Sequence, residues 1–309
     1  MLIRLLALPF FLFWIALLIR GAVNGNTLEL PRADEQALVL RHVFIAELQG
    51  WHYVSEHYLI TAPRLEEVHR VAPRLEHLFC VWQLLLAEHF EAEHFGEREN
   101  KPELLHRVVI FRNQQEYNRE LLPIEPSIAR TNGYYSAPRK TAYFYSTEAK
   151  ILFHEGTHQI LAERLFHENI PAFRNNFWVV EGIAAFMETL KIEENSYKIG
   201  DILADKLFAA KVYQFERNYN MPIQRLTAMS AADIQSKSNA EIQRIYSQSA
   251  TLVHWLMFAE EGRYRKHLFE LLRQTYLGTA GPDTLSTLTG LSYEELDKRY
   301  VEFLETIPD

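Results

Sequence analysis

The sequence of 309 residues has little cysteine, little glycine and proline, and no excess of positive charge. Its single cysteine, Cys80, excludes an intrachain disulfide. Twelve glycines and twelve prolines are too few for a turn-rich all-β architecture. The 32 basic and 40 acidic residues give a net charge of −8, which argues against nucleic acid as the main partner. The composition is otherwise that of a globular protein, and its 13 histidines prompt a search for metal ligands.

One apolar run stands out near the N-terminus, at residues 5–19 between Arg4 and Arg20. Its length in a helix is about 22 Å, short of the ~30 Å hydrocarbon core, which favours a signal peptide over a full span. Small residues allow cleavage after Gly25, whereas the nearby Arg20 and the high hydrophobicity favour an uncleaved anchor. Both alternatives predict a protein that is exported, periplasmic or membrane-anchored at the cell envelope.

The patterns along the rest of the chain predict an α+β fold without alternating βαβ units. Apolar spacing predicts an amphipathic helix over 34–48 and a longer helix over 65–90. Strands are predicted over 53–61 and 107–111, and a hairpin over 133–135 and 142–145 that turns near Pro138. From residue 146 onward the pattern is helical almost to the end, and Ser292 begins the last helix as part of a capping box.

These patterns divide the chain into three segments. Residues 1–25 form the signal peptide or anchor, residues 26–50 an N-terminal helical segment, and residues 51–309 the main domain. Within the main domain, residues 51–166 hold the sheet and one central helix, and residues 167–309 form a helical subdomain.

The central helix carries the sequence His154-Glu155-Gly156-Thr157-His158, an HExxH motif. On a helix the two histidines lie one turn apart on one face, where they can bind a single ion. Zinc suits imidazole ligands and, in a catalytic site, keeps one position for water. Glu155 projects about 100° away from His154, so it can reach that water as a general base without binding the metal. The alternative is that the two histidines are core residues with backbone or carboxylate partners. Burying two imidazoles and a carboxylate without a metal costs free energy, which argues against this alternative.

Zinc needs a third ligand, and the chain offers several acidic and histidine candidates. Arg164 stands where the extended motif HExxHxxGxxH requires histidine, so the metzincin pattern fails. A second apolar helix over 178–188 carries a carboxylate near its start, at Glu181. Its Gly182 and Ala184 are small enough to let it approach another helix closely. The other candidates are Glu188, two turns further along the same face, and the loop residues His167 and Glu168.

The segment from Trp178 through Glu181 and Gly182 to Ala184 resembles the glutamate helix of gluzincin metallopeptidases, of which aminopeptidase N-type enzymes carry a close version. This resemblance implies that Glu181 is the third zinc ligand. Those families also have a Tyr-Glu-Lys-Gly segment whose tyrosine hydrogen-bonds the oxyanion. Tyr246, which is expected near the start of a helix, matches that tyrosine, although the three residues that follow it differ from the family's Glu-Lys-Gly.

The stretch from about Tyr53 to Leu304 resembles the peptidase MA-like group of small gluzincins, which includes a bacterial family known only as a domain of unknown function. The resemblance implies a zincin fold: a small twisted sheet over the active-site helix, then a mainly helical subdomain. It also implies that an edge strand, expected at 142–145, binds an extended peptide by strand addition. Ala185 stands where thermolysin-like enzymes have an aspartate that orients a ligand histidine, so that partner must come from elsewhere.

Three functional hypotheses remain at this stage. The first is a zinc-dependent hydrolase, an endopeptidase-like metallopeptidase of the cell envelope. The exopeptidase motif Gly-x-Met-Glu-Asn is missing upstream of His154, so an aminopeptidase is not expected. The second is a non-catalytic zinc-site module that binds or scaffolds a partner in the same groove. A purely structural zinc site needs no general base, so this hypothesis does not explain the presence of Glu155. The third is a zinc hydrolase acting on a non-peptide bond.

Overall fold

The computed structural model describes residues 23–24, 27–32, 38–45, 50–90, 105–126, 128, 131–165 and 173–309. These residues form an α+β fold, as the sequence predicts. The apolar run at 5–19 and the loop candidates His167 and Glu168 lie outside the described residues. None of the helices within the described ranges is long and apolar enough to cross a membrane.

The described strands form two sheets, one with four strands in the order β1-β2-β10-β9 and one with six in the order β3-β4-β5-β6-β8-β7. In the larger sheet the pairs β5–β6 and β6–β8 are parallel and the other pairs are antiparallel. The strands are β1 (Val23–Asn24), β2 (Thr27–Pro31), β3 (Arg41–Ile45), β4 (Gly50–Val54), β5 (Tyr58–Thr61), β6 (His106–Ile110), β7 (Gly133–Ser136), β8 (Thr141–Phe144), β9 (Lys191–Ile192) and β10 (Ser196–Ile199).

The helices are α1 (Leu65–Leu85), α2 (Ala87–Phe90), α3 (Gln114–Leu121), α4 (Ala149–Leu165), α5 (Phe177–Met187), α6 (Asp205–Phe215), α7 (Ile223–Ala228), α8 (Ala231–Gln235), α9 (Asn239–Gly262), α10 (Arg265–Leu277), α11 (Thr284–Thr289) and α12 (Tyr293–Thr306). Most of the helices share one extended hydrophobic core, whereas the buried residues of α3 belong to a second, smaller cluster with Ile128. The backbone of α9 leaves helical geometry at Ala259–Glu261, close to its end.

Several predicted elements are confirmed. The buried positions of α1 include Val68, Val71, Leu75, Leu78 and Trp82, which are the residues whose spacing predicted that helix. The hairpin β7–β8 forms with Gly133 opposite Phe144, and its turn contains residue 138. The last helix begins where the sequence predicts, because the Ser292 hydroxyl accepts a hydrogen bond from the backbone N–H of Glu295 at 3.2 Å.

Other predictions are wrong in the N-terminal region. Within the predicted helix at 34–48, the described residues 38–45 contain the strand β3 instead. The described residues within 26–50 form strands rather than helix, since β2 also lies there and pairs with β10 from the second half. The single strand predicted at 53–61 is two antiparallel strands, the end of β4 and β5, joined by a tight turn.

The order of strands also differs from expectation in two ways. The parallel strands β5 and β6 are connected through helices α1 and α2, so the chain does contain a βαβ crossover, whereas β6 and β8 are connected through α3 and β7. The predicted edge strand at 142–145 corresponds to β8, which lies between β6 and β7. The edge strand at this end of the larger sheet is β7, because β8, the second strand of the hairpin, pairs with β6 and leaves β7 on the outside.

Candidate metal centre

The HExxH motif lies in the middle of α4, which packs between the sheet and α1. Leu152, Phe153, Ile160 and Leu161 on this helix are buried. Gly156 permits the close approach, because a Cβ at this position would lie 2.6 Å from Cδ2 of Leu78 on α1. The motif is therefore held from both sides by tightly packed structure.

The next helix, α5, brings Glu181 to the motif. All of its residues from Phe177 to Met187 are buried, which fits their apolar character. A Cβ on Gly182 would lie 2.8 Å from the backbone oxygen of Ser249 on α9. The predicted close approach to another helix is confirmed, and it fixes α5 between α4 and α9.

The side chains of His154, His158 and Glu181 converge on one point. The two Nε2 atoms lie 3.2 Å apart. Nε2 of His154 is 3.5 Å from Oε2 of Glu181, and Nε2 of His158 is 3.7 Å from Oε1. Two atoms bound to one tetrahedral zinc ion at about 2.1 Å are about 3.4 Å apart, so these separations fit the edges of such a site. Two imidazole nitrogens and one carboxylate oxygen are also a donor set found in catalytic zinc sites.

The protonation of the three groups follows from their burial and mutual contacts. Burial lowers the pKa of His158 to about 4, which keeps its ring neutral and able to act as a ligand. Burial alone would lower the pKa of His154 too, but hydrogen bonds to Glu181 and Glu188 raise it to about 10. Burial opposes ionisation of Glu181, yet the electrostatic interaction with the nearby His158 ring and the hydrogen bond with His154 lower its pKa. The two rings and the carboxylate are thus electrostatically coupled at close range.

Glu188 orients His154 from the opposite side of the ring. Its Oε1 accepts a hydrogen bond from Nδ1 of His154 at 2.7 Å, which turns Nε2 toward His158 and Glu181. The second oxygen of Glu188 accepts from Nζ of Lys206 on α6. Glu188 is therefore the histidine partner that Ala185 cannot supply, and it does not join the three converging ligand atoms. From the sequence, Glu188 is predicted only as an alternative ligand, although its spacing of seven residues from Glu181 already puts the two on the same helix face.

Glu155 lies between α4 and the edge strand β7. Its Oε2 accepts a hydrogen bond from the backbone N–H of Tyr135 at 3.0 Å. A Cβ on Gly133 would lie 3.1 Å from Cγ of Glu155, so the start of β7 closely borders this side chain. Burial raises the pKa of Glu155, and the negative charges of Glu181 and Glu188 act in the same direction. A carboxyl group with a raised pKa is better suited to accept and return a proton.

Tyr246 reaches the same site from α9. It lies two turns into this helix, not at its start, because the helix begins after a capping box formed by Ser238 and Glu241. A hydrogen bond between its side chain and Glu181 contributes to the lowered pKa of that carboxyl. Burial and the charge of Glu181 raise the pKa of Tyr246, so the phenol remains a donor. The structure therefore brings together His154, Glu155, His158, Glu181 and Tyr246, all five of the predicted site residues.

A second group of histidine and acidic side chains lies at the turn between β4 and β5. It consists of Glu56, His57 and Glu76. Nδ1 of His57 donates to Oε2 of Glu76 at 2.6 Å, while Glu56 lies 4.0 Å from Nε2 on the other side of the ring. The two carboxylates therefore lie beside different nitrogens of the ring, and the group is arranged as a hydrogen-bonded pair beside an exposed carboxylate.

Residues 148–277 match the model of a family described as "Protein of unknown function (DUF1570)". The matched part extends from the residue before α4 to the end of α10, so it includes the HExxH motif, Glu181, Glu188 and Tyr246. No curated protein matches the chain. The similarity therefore covers the candidate centre, except for the strand β7, and carries no described activity.

Proposed function

We propose that this protein is a zinc-dependent hydrolase of the gluzincin type, with a zincin fold and an endopeptidase-like activity at the cell envelope. The observation that carries the proposal is the convergence of His154, His158 and Glu181 at separations that suit one tetrahedral zinc ion. Zinc bound there would lower the pKa of a water molecule and polarise the carbonyl of the scissile bond.

The residues around the ligands have the roles that hydrolysis requires. Glu155 takes a proton from the attacking water and passes it to the leaving amine, since its carboxylate lies beside the ligands without being one of them. Glu188 keeps Nε2 of His154 aimed at the ligand point. Tyr246 exchanges its hydrogen bond to Glu181 for one to the oxyanion that develops in the transition state.

The proposed substrate is an extended peptide that adds to the edge of the larger sheet. Among the described residues β7 is the edge strand at this end of the larger sheet, so the peptide would pair with β7 and not with residues 142–145. The backbone N–H of Tyr135 points at Glu155, which puts the edge of the sheet and the general base next to each other. A peptide paired with β7 would pass directly over the candidate centre.

The variant Glu155→Gln tests the catalytic part of the proposal. An amide can still hydrogen-bond to water but cannot accept its proton, so we expect zinc to be retained and hydrolysis to be lost. The measurement is zinc content together with cleavage of a broad peptide library. Glu148→Gln is the matched control, because Glu148 is an exposed glutamate just before the same helix.

Each outcome of this experiment separates the hypotheses. Cleavage by Glu155→Gln at the parental rate would contradict the general-base role. A zinc-loaded parent that cleaves no peptide in the library would favour the binding or scaffolding module. Cleavage of ester or amide probes that lack a peptide backbone, with no peptide cleavage, would favour a hydrolase of a non-peptide bond.

A further inference from the structure

The backbone N–H of Tyr135 points to the free edge of the larger sheet. In an antiparallel pair, residues alternately exchange both backbone hydrogen bonds with the partner strand or direct both groups away from it. The backbone oxygen of Phe144 accepts from the N–H of Phe111, on the side away from β7, at 2.7 Å, so Phe144 and its partner Gly133 are of the second kind. Tyr135 lies two residues after Gly133 and is therefore of the same kind, and its outward N–H donates to Oε2 of Glu155 at 3.0 Å.

This hydrogen bond uses a group that a substrate strand would need. A strand that adds to β7 pairs with the outward N–H and C=O groups of β7, and the N–H of Tyr135 is one of them. That N–H already has an acceptor in the carboxylate of Glu155. Neither Tyr135 nor Glu155 is fully buried, so a peptide can approach the bond from the solvent. The general base and the substrate backbone therefore compete for one donor.

The carboxylate, rather than the strand, is the part that can move. Tyr135 is paired with Ala142 on β8, and its ring packs against the main core. The backbone of α4 beside Glu155 is equally fixed, because Gly156 lies in close contact with α1. The carboxylate is attached to that backbone through a flexible side chain, so it can turn while its surroundings stay in place.

We propose that an extended peptide bound along β7 takes over the N–H of Tyr135 with one of its backbone carbonyl groups. The exchange releases the carboxylate of Glu155, which then turns toward the candidate metal centre. It presupposes the hydrolase function proposed above, in which Glu155 is the general base. Tyr135 thus determines specificity through its backbone N–H rather than through its side chain.

The exchange favours substrates that have a continuous extended backbone. A carbonyl group away from the cleaved bond contributes binding energy that is used to free the base. Its loss should therefore lower kcat more than it raises KM. Esters and amides without a peptide backbone lack that carbonyl group and leave Glu155 bonded to Tyr135.

Peptide binding to the zinc-free full chain tests the competition without turnover. The probes are fluorescein-labelled decapeptides from the library, chosen as those that the zinc-loaded chain cleaves, and fluorescence anisotropy gives their dissociation constants. Glu155→Met keeps the length of the side chain but removes the acceptor, so the N–H of Tyr135 becomes available. We expect binding to tighten about five- to ten-fold. Glu155→Gln keeps an acceptor and should bind the peptide nearly as the parent does.

Thioamide analogues of the peptide identify the carbonyl group that pairs with Tyr135. In each analogue one backbone carbonyl oxygen is replaced by sulfur, a weaker acceptor, and we expect the gain from Glu155→Met to disappear at one position. With zinc, the parent should cleave that analogue with a lowered kcat and a KM that changes much less. Glu148→Met is the matched control for the loss of a negative charge, since Glu148 is exposed just before the same helix, and it should bind like the parent.

Three results would overturn the exchange. Glu155→Met might bind the peptide no more tightly than the parent does, the gain could be the same for every thioamide analogue, or Glu148→Met could give the same gain. A zinc-loaded chain that cleaves no library peptide would count against the hydrolase instead. The anisotropy series is then run with the peptide that binds most tightly, and a gain confined to Glu155→Met would support the competition for the N–H on its own.

Discussion

Two groups of histidine and glutamate side chains in this protein look alike by composition but differ in the direction of their nitrogen atoms. At α4 and α5, Nδ1 of His154 is bound to Glu188, so Nε2 is free to face His158 and Glu181. At the β4–β5 turn, the acidic partners of His57 lie on opposite sides of its ring. Closeness of histidine and glutamate side chains is therefore insufficient evidence for a metal site. The ligand atoms must also point at one common position.

The largest difference between the two groups should appear in zinc content. His158→Ala removes one of three converging ligands, so the purified protein should lose its zinc. His57→Ala removes a ring of the other group and should keep one equivalent. Elemental analysis of the two variants beside the parent gives the result, and zinc retained by His158→Ala would refute the ligand assignment.

The tyrosines near the two groups should also differ in their effect on the rate. Tyr246→Phe keeps the ring but removes the donor beside Glu181, so kcat should fall by roughly 10²–10³ with little change in stability. Tyr197→Phe removes the hydroxyl that contacts Nδ1 of His77 at 2.9 Å, close to the second group, and should leave kcat unchanged.

Steady-state kinetics and thermal unfolding of both tyrosine variants distinguish the roles. If Tyr246→Phe lost stability while its kcat stayed within a few-fold of the parent, Tyr246 would be a packing residue. The departure of residues 247–249 from the Glu-Lys-Gly pattern would then mark a real difference from the gluzincin families.

The acidic partners of the two histidines should differ in their effect on zinc affinity. Glu188→Gln leaves a hydrogen-bonding group beside His154 but removes its charge, and we expect zinc to bind about 10–100-fold more weakly. Glu76→Gln makes the same change beside His57 and should not alter zinc affinity. Competition with a chromophoric chelator measures both constants, and equal affinities for Glu188→Gln and the parent would contradict the orienting role.

Glu76 should instead contribute to the pH dependence of the free energy of unfolding. Burial alone would raise its pKa, but hydrogen bonds from the side chain and backbone of His57 lower it overall. A pKa lowered in the folded state contributes stability that is complete above the unfolded value and is lost as the pH falls through the folded value. Glu76→Gln should therefore cost about 1–2 kcal/mol at neutral pH and progressively less in acid.

Denaturant unfolding of Glu76→Gln and the parent at a series of pH values between neutral and strongly acidic checks this prediction. A difference in the free energy of unfolding that is the same at every pH would mean that the charge of Glu76 does not contribute.

The sequence predicted the candidate centre better than it predicted the topology. His154 and His158 are one turn apart on one helix, and a local motif determines their geometry. Glu181 could be identified because Gly182 and its neighbours resemble a known helix. The small residue at 182 marks close packing, which the contact with Ser249 confirms.

The errors concern features that depend on distant parts of the chain. No local sequence pattern indicates that β7 rather than β8 is the edge strand, since both strands contain similar aromatic residues. Residues 41–45 form a strand because they pair with β4, and this pairing overrides the helical pattern of the sequence. The start of α9 is a different error, because the helix was expected to begin near Tyr246 although Ser238 and Glu241 have the local spacing of a capping box.

Anomalous scattering at the zinc absorption edge from crystals of the full chain would locate the proposed zinc ion. We expect one peak per chain within bonding distance of Nε2 of His154, Nε2 of His158 and a carboxylate oxygen of Glu181, with no peak at His57. A peak beside His57, or a peak at α4 that excludes Glu181 from its ligands, would contradict this prediction.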